Sequence, residues 1–217
     1  MREFKFSLAL FLALALTARA QTNLVPNGDF QAADPLQGWR IDFPYAEPYA
    51  KNKMYVKATT ENAPAPGGRC VVIQLPPGVA GSEGGKIESA FLPAEPGATY
   101  RVEIDCLTWD FAAKTFVEAW IADPQPIPQP DKFRVPADSH HPPLLTIYRA
   151  QIPDPKGGSK TWQTVSREFT LPKSRPVGGR DVPPEYLTLK AFTYAGTPNG
   201  GKSYFANFRL YKIKGPQ

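Results

Sequence analysis

Two cysteines and two histidines in 217 residues leave little material for thiol or imidazole chemistry. The histidines are adjacent, His140-His141, and Pro142 follows them. Neighbouring side chains point apart in extended chain, and no Cys or His lies at ligand spacing, so the pair reads as a loop feature rather than a zinc or acid–base site. The chain has no G-x-S-x-G elbow, Walker loop, H-E-x-x-H or dinucleotide fingerprint. Charge of one sign is never concentrated: 25 Lys and Arg stand against 20 Asp and Glu, scattered along the chain. Without a block of like charges, nucleic acid is not expected as a partner. Internal repeats and long amphipathic helix patterns are lacking too.

Apolar runs are confined to the start. Arg2 and Lys5 form a positive n-region, residues 6–16 an apolar core, and Ala18-Arg19-Ala20 an A-x-A cleavage site. The run is short for a membrane span, so residues 1–20 read as a signal peptide and Gln21 as the mature N-terminus. No Cys follows the cut, and no lipoprotein anchor is indicated. Arg2, Lys5 and Arg19 against Glu3 account for part of the +5 net charge, which falls to about +3 once they are removed. A secreted, extracellular or periplasmic product without membrane insertion is expected.

What the chain has in quantity is turn residues, 25 Pro and 17 Gly, between short runs of period-two alternation. Strands are predicted at 23–25, 38–42, 53–59, 69–75, 85–92, 99–107, 115–122, 144–151, 161–171, 186–194 and 202–213. Strands at this spacing predict an all-β, two-sheet antiparallel β-sandwich spanning residues 21–217 as a single domain. Two long connections, 123–143 with seven prolines and 172–184, read as surface loops or as walls of a groove.

An oxidising destination permits a Cys70–Cys106 disulfide. The apolar face of 69–75 is Val71, Ile73 and Leu75, with Cys70 opposite; in 100–106, Cys106 joins Tyr100, Val102 and Ile104. Thiols on opposite faces cannot bridge. Val72 makes the first strand apolar on both faces, which leaves both outcomes open.

Ordered motifs bracket the domain. The start reads Asn23-Leu24-Val25-Pro26-Asn27-Gly28-Asp29-Phe30-Gln31, then Gly38-Trp39; the end reads Tyr204-Phe205-Ala206-Asn207-Phe208-Arg209-Leu210. Between them come Ile87-Glu88-Ser89, the Pro96-Gly97 turn before Tyr100, and a run from Trp162 through Val165 and Phe169 to Pro172. Together these resemble carbohydrate-binding modules with the galactose-binding-domain-like jelly roll. The resemblance implies termini lying side by side, structural roles for Trp39 and Trp162, and non-catalytic binding of a polysaccharide or glycan. It also implies a structural calcium near the termini. Here the carboxylate positions of that site read Gln31 and Ala206, so no tightly bound calcium, and no other cofactor, is expected.

Sugars are held by aromatic rings against C–H faces and by planar polar groups on hydroxyls. Alternation places Phe116, Glu118 and Trp120 opposite an inward set of Val117, Ala119 and Ile121. It likewise turns Tyr186, Thr188, Lys190, Phe192 and Tyr194 outward, along with Arg101, Glu103 and Asp105, and Thr146 and Tyr148. These are expected to share one glycan-binding face. Trp120, Phe116, Tyr194, Phe192 and Tyr148 would stack; Glu118, Glu103, Arg101 and Lys190 would hydrogen-bond. Trp109 reads as a groove rim. Two alternatives stand beside this: a structural or adhesive sandwich without sugar binding, and a lone glycosidase using carboxylates such as Glu103, Asp105 and Glu118. Trp120 discriminates: exposed in a groove it supports binding, buried it supports the structural reading.

Overall fold

The computed structural model describes residues 21–43, 49–79, 84–109, 113–122, 134–135, 143–155, 159–193 and 200–216. The strands are β1 (Trp39–Arg40), β2 (Val56–Thr59), β3 (Cys70–Leu75), β4 (Gly85–Ser89), β5 (Leu92–Pro93), β6 (Thr99–Thr108) and β7 (Ala113–Ala122). After these come β8 (Arg134–Val135), β9 (Leu144–Ile152), β10 (Gln163–Thr170), β11 (Arg175–Val177), β12 (Arg180–Val182), β13 (Tyr186–Thr193) and β14 (Gly201–Lys214). Twelve of them form two antiparallel sheets packed face to face, the predicted jelly-roll sandwich, and β11 and β12 pair apart as a two-stranded sheet. The seven-stranded sheet runs β1-β4-β13-β7-β9-β8, with β5 also on β13; the five-stranded sheet runs β10-β6-β14-β3-β2.

The core lies between them. β7 and β13 supply Val117, Ala119, Leu187, Leu189 and Ala191; β6 and β14 answer with Val102, Ile104, Cys106, Phe205 and Leu210. On β6, β7 and β13 these are the inward sets that alternation selects, whereas β14 reaches the core with both Phe205 and Leu210 through a register shift between Ala206 and Arg209.

The termini lie side by side. Leu24 N donates to Leu210 O at 2.8 Å and Phe208 N to Gly28 O at 2.9 Å. Residues 23–25 nevertheless form no strand, because the Asn23 side chain takes over ladder positions: its Oδ1 accepts from Val25 N and Leu210 N, and its Nδ2 donates to Phe208 O. A Cβ on Gly28 would sit 2.1 Å from Phe208 O, so glycine is required by close approach. The contact matters because Phe208 fills the core corner with Trp39 (4.5 Å between centroids) and Phe30 (5.9 Å).

Three further departures have local causes. Residues Lys53–Tyr55 form a 3-10 turn ahead of β2. Strand 85–92 breaks at Ala90, whose N–H bonds Gly38 O at 2.7 Å. Loop 172–184 contains the β11–β12 hairpin, turned by Gly178 (φ 58°) and Gly179 (φ 79°). Most of loop 123–143, with His140 and His141, lies outside the described residues, although β8 pairs with β9.

Cys70 and Cys106 are free and buried on opposite faces of the five-stranded sheet. The parity that sends the thiols apart is the one observed. Burial pushes the Cys70 thiol up to about 11, helped by the Glu61 charge, and pushes Cys106 higher still.

Candidate functional site

On the outer face of the seven-stranded sheet, register brings the polar residues into rows. Arg40 stands opposite Glu88, Glu88 opposite Lys190, and Lys190 opposite Phe116. In the next row Thr188 faces Glu118, and Glu118 faces Arg149. Arg40 Nη2 lies 3.0 Å and Lys86 Nζ 3.2 Å from Glu88 Oε2, while Lys190 Nζ lies 3.3 Å from Glu88 Oε1. Lys190 Nζ also donates to Glu118 Oε2, and the other Glu118 oxygen is 3.3 Å from Arg149 Nε. Cations sit over rings throughout: Lys86 is 3.9 Å from the Phe43 centroid, Arg149 4.0 Å from Phe116, and Lys190 4.7 Å from Trp120.

This face is closed. Trp120 and Glu88 are 0% exposed, and Glu118 and Lys190 2%. Phe91 packs edge-on against Trp120 at 5.6 Å, and Trp120 Nε1 donates to Thr188 Oγ1 at 2.9 Å. A ring with no exposed face cannot stack on a sugar, so the expectation that Trp120 lies in an open groove is corrected. Burial alone would raise the Glu88 carboxyl, but Arg40, Lys190 and Lys86 outweigh it and hold the group well below the ordinary carboxylate range. Desolvation brings the Lys86 ammonium down to about 8, against the pull of Glu88.

The expected single face is in fact two. Arg101, Glu103 and Asp105 lie on β6, in the other sheet, so they are on the opposite side of the sandwich from Phe116, Glu118, Trp120, Lys190 and Phe192. The carboxylates considered for glycoside hydrolysis are divided in the same way. Tyr148 is corrected for a different reason. A register shift in β9 between the partners of Ala119 and Trp120 sets Tyr148 opposite Ala119 and Thr146 opposite Trp120. Tyr148 therefore joins the core side and stacks on Phe169 at 6.0 Å. Tyr194 lies outside the described residues. Trp109 is 37% exposed, with Lys160 Nζ 5.4 Å from its ring. Trp39 is a core residue. Trp162 is not: it packs on the outer face of the five-stranded sheet beside Cys70 and Tyr204, its Nε1 donating to Asn62 O at 2.9 Å.

Beyond that buried apolar cluster, the outer face of the five-stranded sheet is open and polar around Arg101, Glu103, Asp105 and Arg209. Arg209 pairs in register with Glu103, and Tyr211 with Arg101. Arg209 Nε lies 3.2 Å from Glu103 Oε2, and its Nη2 donates to Asp105 Oδ1 at 2.7 Å. Asn207 Nδ2 and Thr164 Oγ1 each donate to Asp105 at 2.7 Å, and Arg101 Nη2 donates to Gln21 Oε1 at 3.2 Å. Arg209 and Tyr211 were missed in the sequence because they reach this face through a register shift between Ala206 and Arg209. The available signal was the apolar spacing of Phe205, Phe208 and Leu210, which strict alternation cannot satisfy.

The corner where a structural calcium would belong does not fit a hard cation. Ala206 offers no side-chain oxygen there, and Gln31 spends its amide on Asp29 O at 3.0 Å. Asn27 Nδ2 donates to the carbonyls of Pro35 (2.9 Å) and Gln37 (3.0 Å), so that corner holds an N–H donor where a hard cation would need an oxygen. Among the described residues no group of three His, Cys, Asp or Glu could hold a metal.

No protein-family model matches the chain, and no curated protein matches it. Solved structures do, and they are mostly carbohydrate-binding modules of jelly-roll fold. An arabinose-bound GH51 α-L-arabinofuranosidase superposes with a TM-score of 0.52 at 13% identity, over 88% of this chain and 26% of that one. The chain thus spans about a quarter of that enzyme's length. A CBM61 module in complex with β-1,4-galactotriose gives 0.45 at 15% identity, over 88% and 99% of the two chains. The Clostridium thermocellum xylanase 10B CBM22-1–GH10 modules, complexed with xylohexaose, give 0.47 at 12% identity, over 88% and 27%. At these identities the likeness is one of fold.

Proposed function

We propose that this protein is a secreted, non-catalytic module that binds a polysaccharide or glycan on one outer face of its sandwich. The observation that carries this reading is the five-stranded sheet's outer face. There planar Arg, Asn, Glu and Asp side chains are fixed in mutual hydrogen bonds, yet stay partly exposed beside an aromatic ring. Such groups give the paired, directional contacts that sugar hydroxyls need, at little ordering cost. Catalysis is disfavoured because the candidate carboxylates are divided, Glu103 and Asp105 on one side of the sandwich and Glu118 on the other, so they cannot flank one glycosidic bond together.

Binding is tested by calorimetric titration of the mature protein with xylohexaose, β-1,4-galactotriose and cellotriose, alongside a reducing-end assay for cleavage. Saturable heat without new reducing ends supports the reading; cleavage, or silence with every glycan, sinks it. Intact mass of the exported product checks the leader, the expected N-terminus being Gln21. A second reading, a structural or adhesive sandwich, is favoured by the burial of Trp120, which removes the strongest stacking ring from the surface.

A further inference from the structure

We propose that the ligand seat is the groove centred on Tyr211, and that it takes a neutral saccharide rather than a charged one. This deepens the glycan-binding reading and rests on it. Two cavities adjoin on the outer face of the five-stranded sheet. One, of about 350 Å³, is lined by the Asn27–Asp29 corner, Asn207 and Arg209; the other, of about 470 Å³, by Gln21, Arg101 and Glu103. Tyr211 lines both. Each volume falls in the roughly 300–1,000 Å³ range of small-ligand pockets, and together they form a trough rather than a hole.

The trough is rigid for structural reasons. Its floor is β14 where the chain slips register, so Asn207 adopts φ 48° and delivers its amide to Asp105. The Asn23 amide is held on both sides, accepting from two backbone N–H groups and donating to a third residue's carbonyl. Arg101 lies 5.7 Å from the Tyr211 centroid and steadies the ring. Side chains already fixed lose little entropy when a ligand arrives.

Charge decides the ligand class. Arg101 and Arg209 are matched by Glu103 and Asp105 through contacts of 2.7 to 3.3 Å. A uronate or sulfated sugar would have to displace a carboxylate from its guanidinium, whereas a hydroxyl can accept from an arginine N–H and donate to a carboxylate without breaking either pair. The Tyr211 ring supplies the apolar plate for a pyranose face. The outer face of the other sheet is balanced differently, with Arg40, Lys86, Arg149 and Lys190 against Glu88 and Glu118, and both carboxylates are buried.

The test is calorimetric titration of the mature protein and its Tyr211→Ala and Arg209→Gln variants with the three neutral oligosaccharides above, and with oligogalacturonate as the charged comparison. Neutral binding should weaken by roughly thirtyfold or more in Tyr211→Ala, the size of a hot-spot loss, and stay level as salt rises from about 50 to 500 mM. Met54→Ala, at a 73% exposed position that lines neither cavity, should leave it unchanged. Hydroxyl-radical footprinting of the unmutated protein gives a readout independent of variant folding: Tyr211 should be protected by the bound glycan. Neutral binding indifferent to both variants, with Tyr211 unprotected, overturns this seat while the glycan-binding function stands. Tighter binding of oligogalacturonate overturns the neutral class. No binding by the unmutated protein overturns the functional reading as well as the seat.

Discussion

The two outer faces of this sandwich are built from the same kinds of residue and differ in water. On the seven-stranded sheet, Lys190 bridges Glu88 and Glu118, and all three are at most 2% exposed. On the five-stranded sheet, Arg209 bridges Glu103 and Asp105 in the same manner, with side chains 13–26% exposed. An ion pair out of water is coupled to folding, because removing one member strands the other in a poor solvent. A pair open to water is loosely coupled to folding and free to exchange partners. The closed face therefore reads as part of the structure, and the open one as the surface where recognition can occur.

The sharpest way to break that contrast is to delete one carboxylate from each face. Glu118→Ala takes from the buried Lys190 one of its two carboxylate partners, and about 3–5 kcal/mol of stability should be lost. Trp120→Ala should cost a similar amount through the cavity it leaves. Glu103→Ala, its counterpart on the open face, should cost no more than about 1 kcal/mol. Urea unfolding of the three variants measures this directly. Equal losses for Glu118→Ala and Glu103→Ala would show the faces to be energetically alike.

Acid should separate the faces next. The Glu88 carboxyl is held below its ordinary 4.5 in the folded chain by Arg40, Lys190 and Lys86. Its stabilising contribution is complete above that ordinary value and is lost as pH falls toward the folded one. Between pH 4.5 and 3 the unfolded chain takes up a proton that the folded chain does not, removing up to about 2 kcal/mol. Glu88→Gln should be less stable at pH 7 and show a flatter acid limb in the same urea titration. An unchanged limb would mean that Glu88 is not the acid-sensitive group.

How much of this was legible beforehand depends on which residues are considered. Local alternation correctly turned Phe116, Glu118, Trp120 and Lys190 away from the core, because β7 and β13 keep a period of two. For the Cys70 and Cys106 thiols it left both outcomes open, and the one in which they point apart is observed. It failed where β9 slips, at Tyr148, which enters the core side, and the slip in β14 that brings Arg209 and Tyr211 to the outer face lay beyond its reach. It could not assign sheets either, since Glu103 and Glu118 have the same local signature and only strand order separates them. Closure of the seven-stranded face depends on Phe43 and Phe91, distant in sequence from the strands they cover. The hairpin at 175–182 was missed, residues 172–184 having been read as a loop, although Gly178-Gly179 is a hairpin turn signal.

The smallest expected effect lies at alkaline pH and again singles out the closed face. Lys86 sits among Arg40, Glu88, Lys190 and Glu118, and desolvation brings its ammonium from 10.5 down to about 8. Here the sign is the reverse of Glu88. Between pH 8 and 10.5 the unfolded chain keeps a proton that the folded chain has released, so stability should rise with pH. An opposing trend runs alongside it, because burial raises both thiols above their ordinary 9 and only the unfolded chain begins to ionise them between pH 8 and 9. Over that interval the urea midpoint should therefore climb by the equivalent of only about 0.3 kcal/mol. Lys86→Met should abolish that climb, since its side chain is apolar and fits a 4%-exposed position. Lys114→Met, a change to a partly exposed lysine on the same sheet, should leave the climb intact. A climb that survives Lys86→Met would assign it to another group and leave the closed face without its alkaline signature.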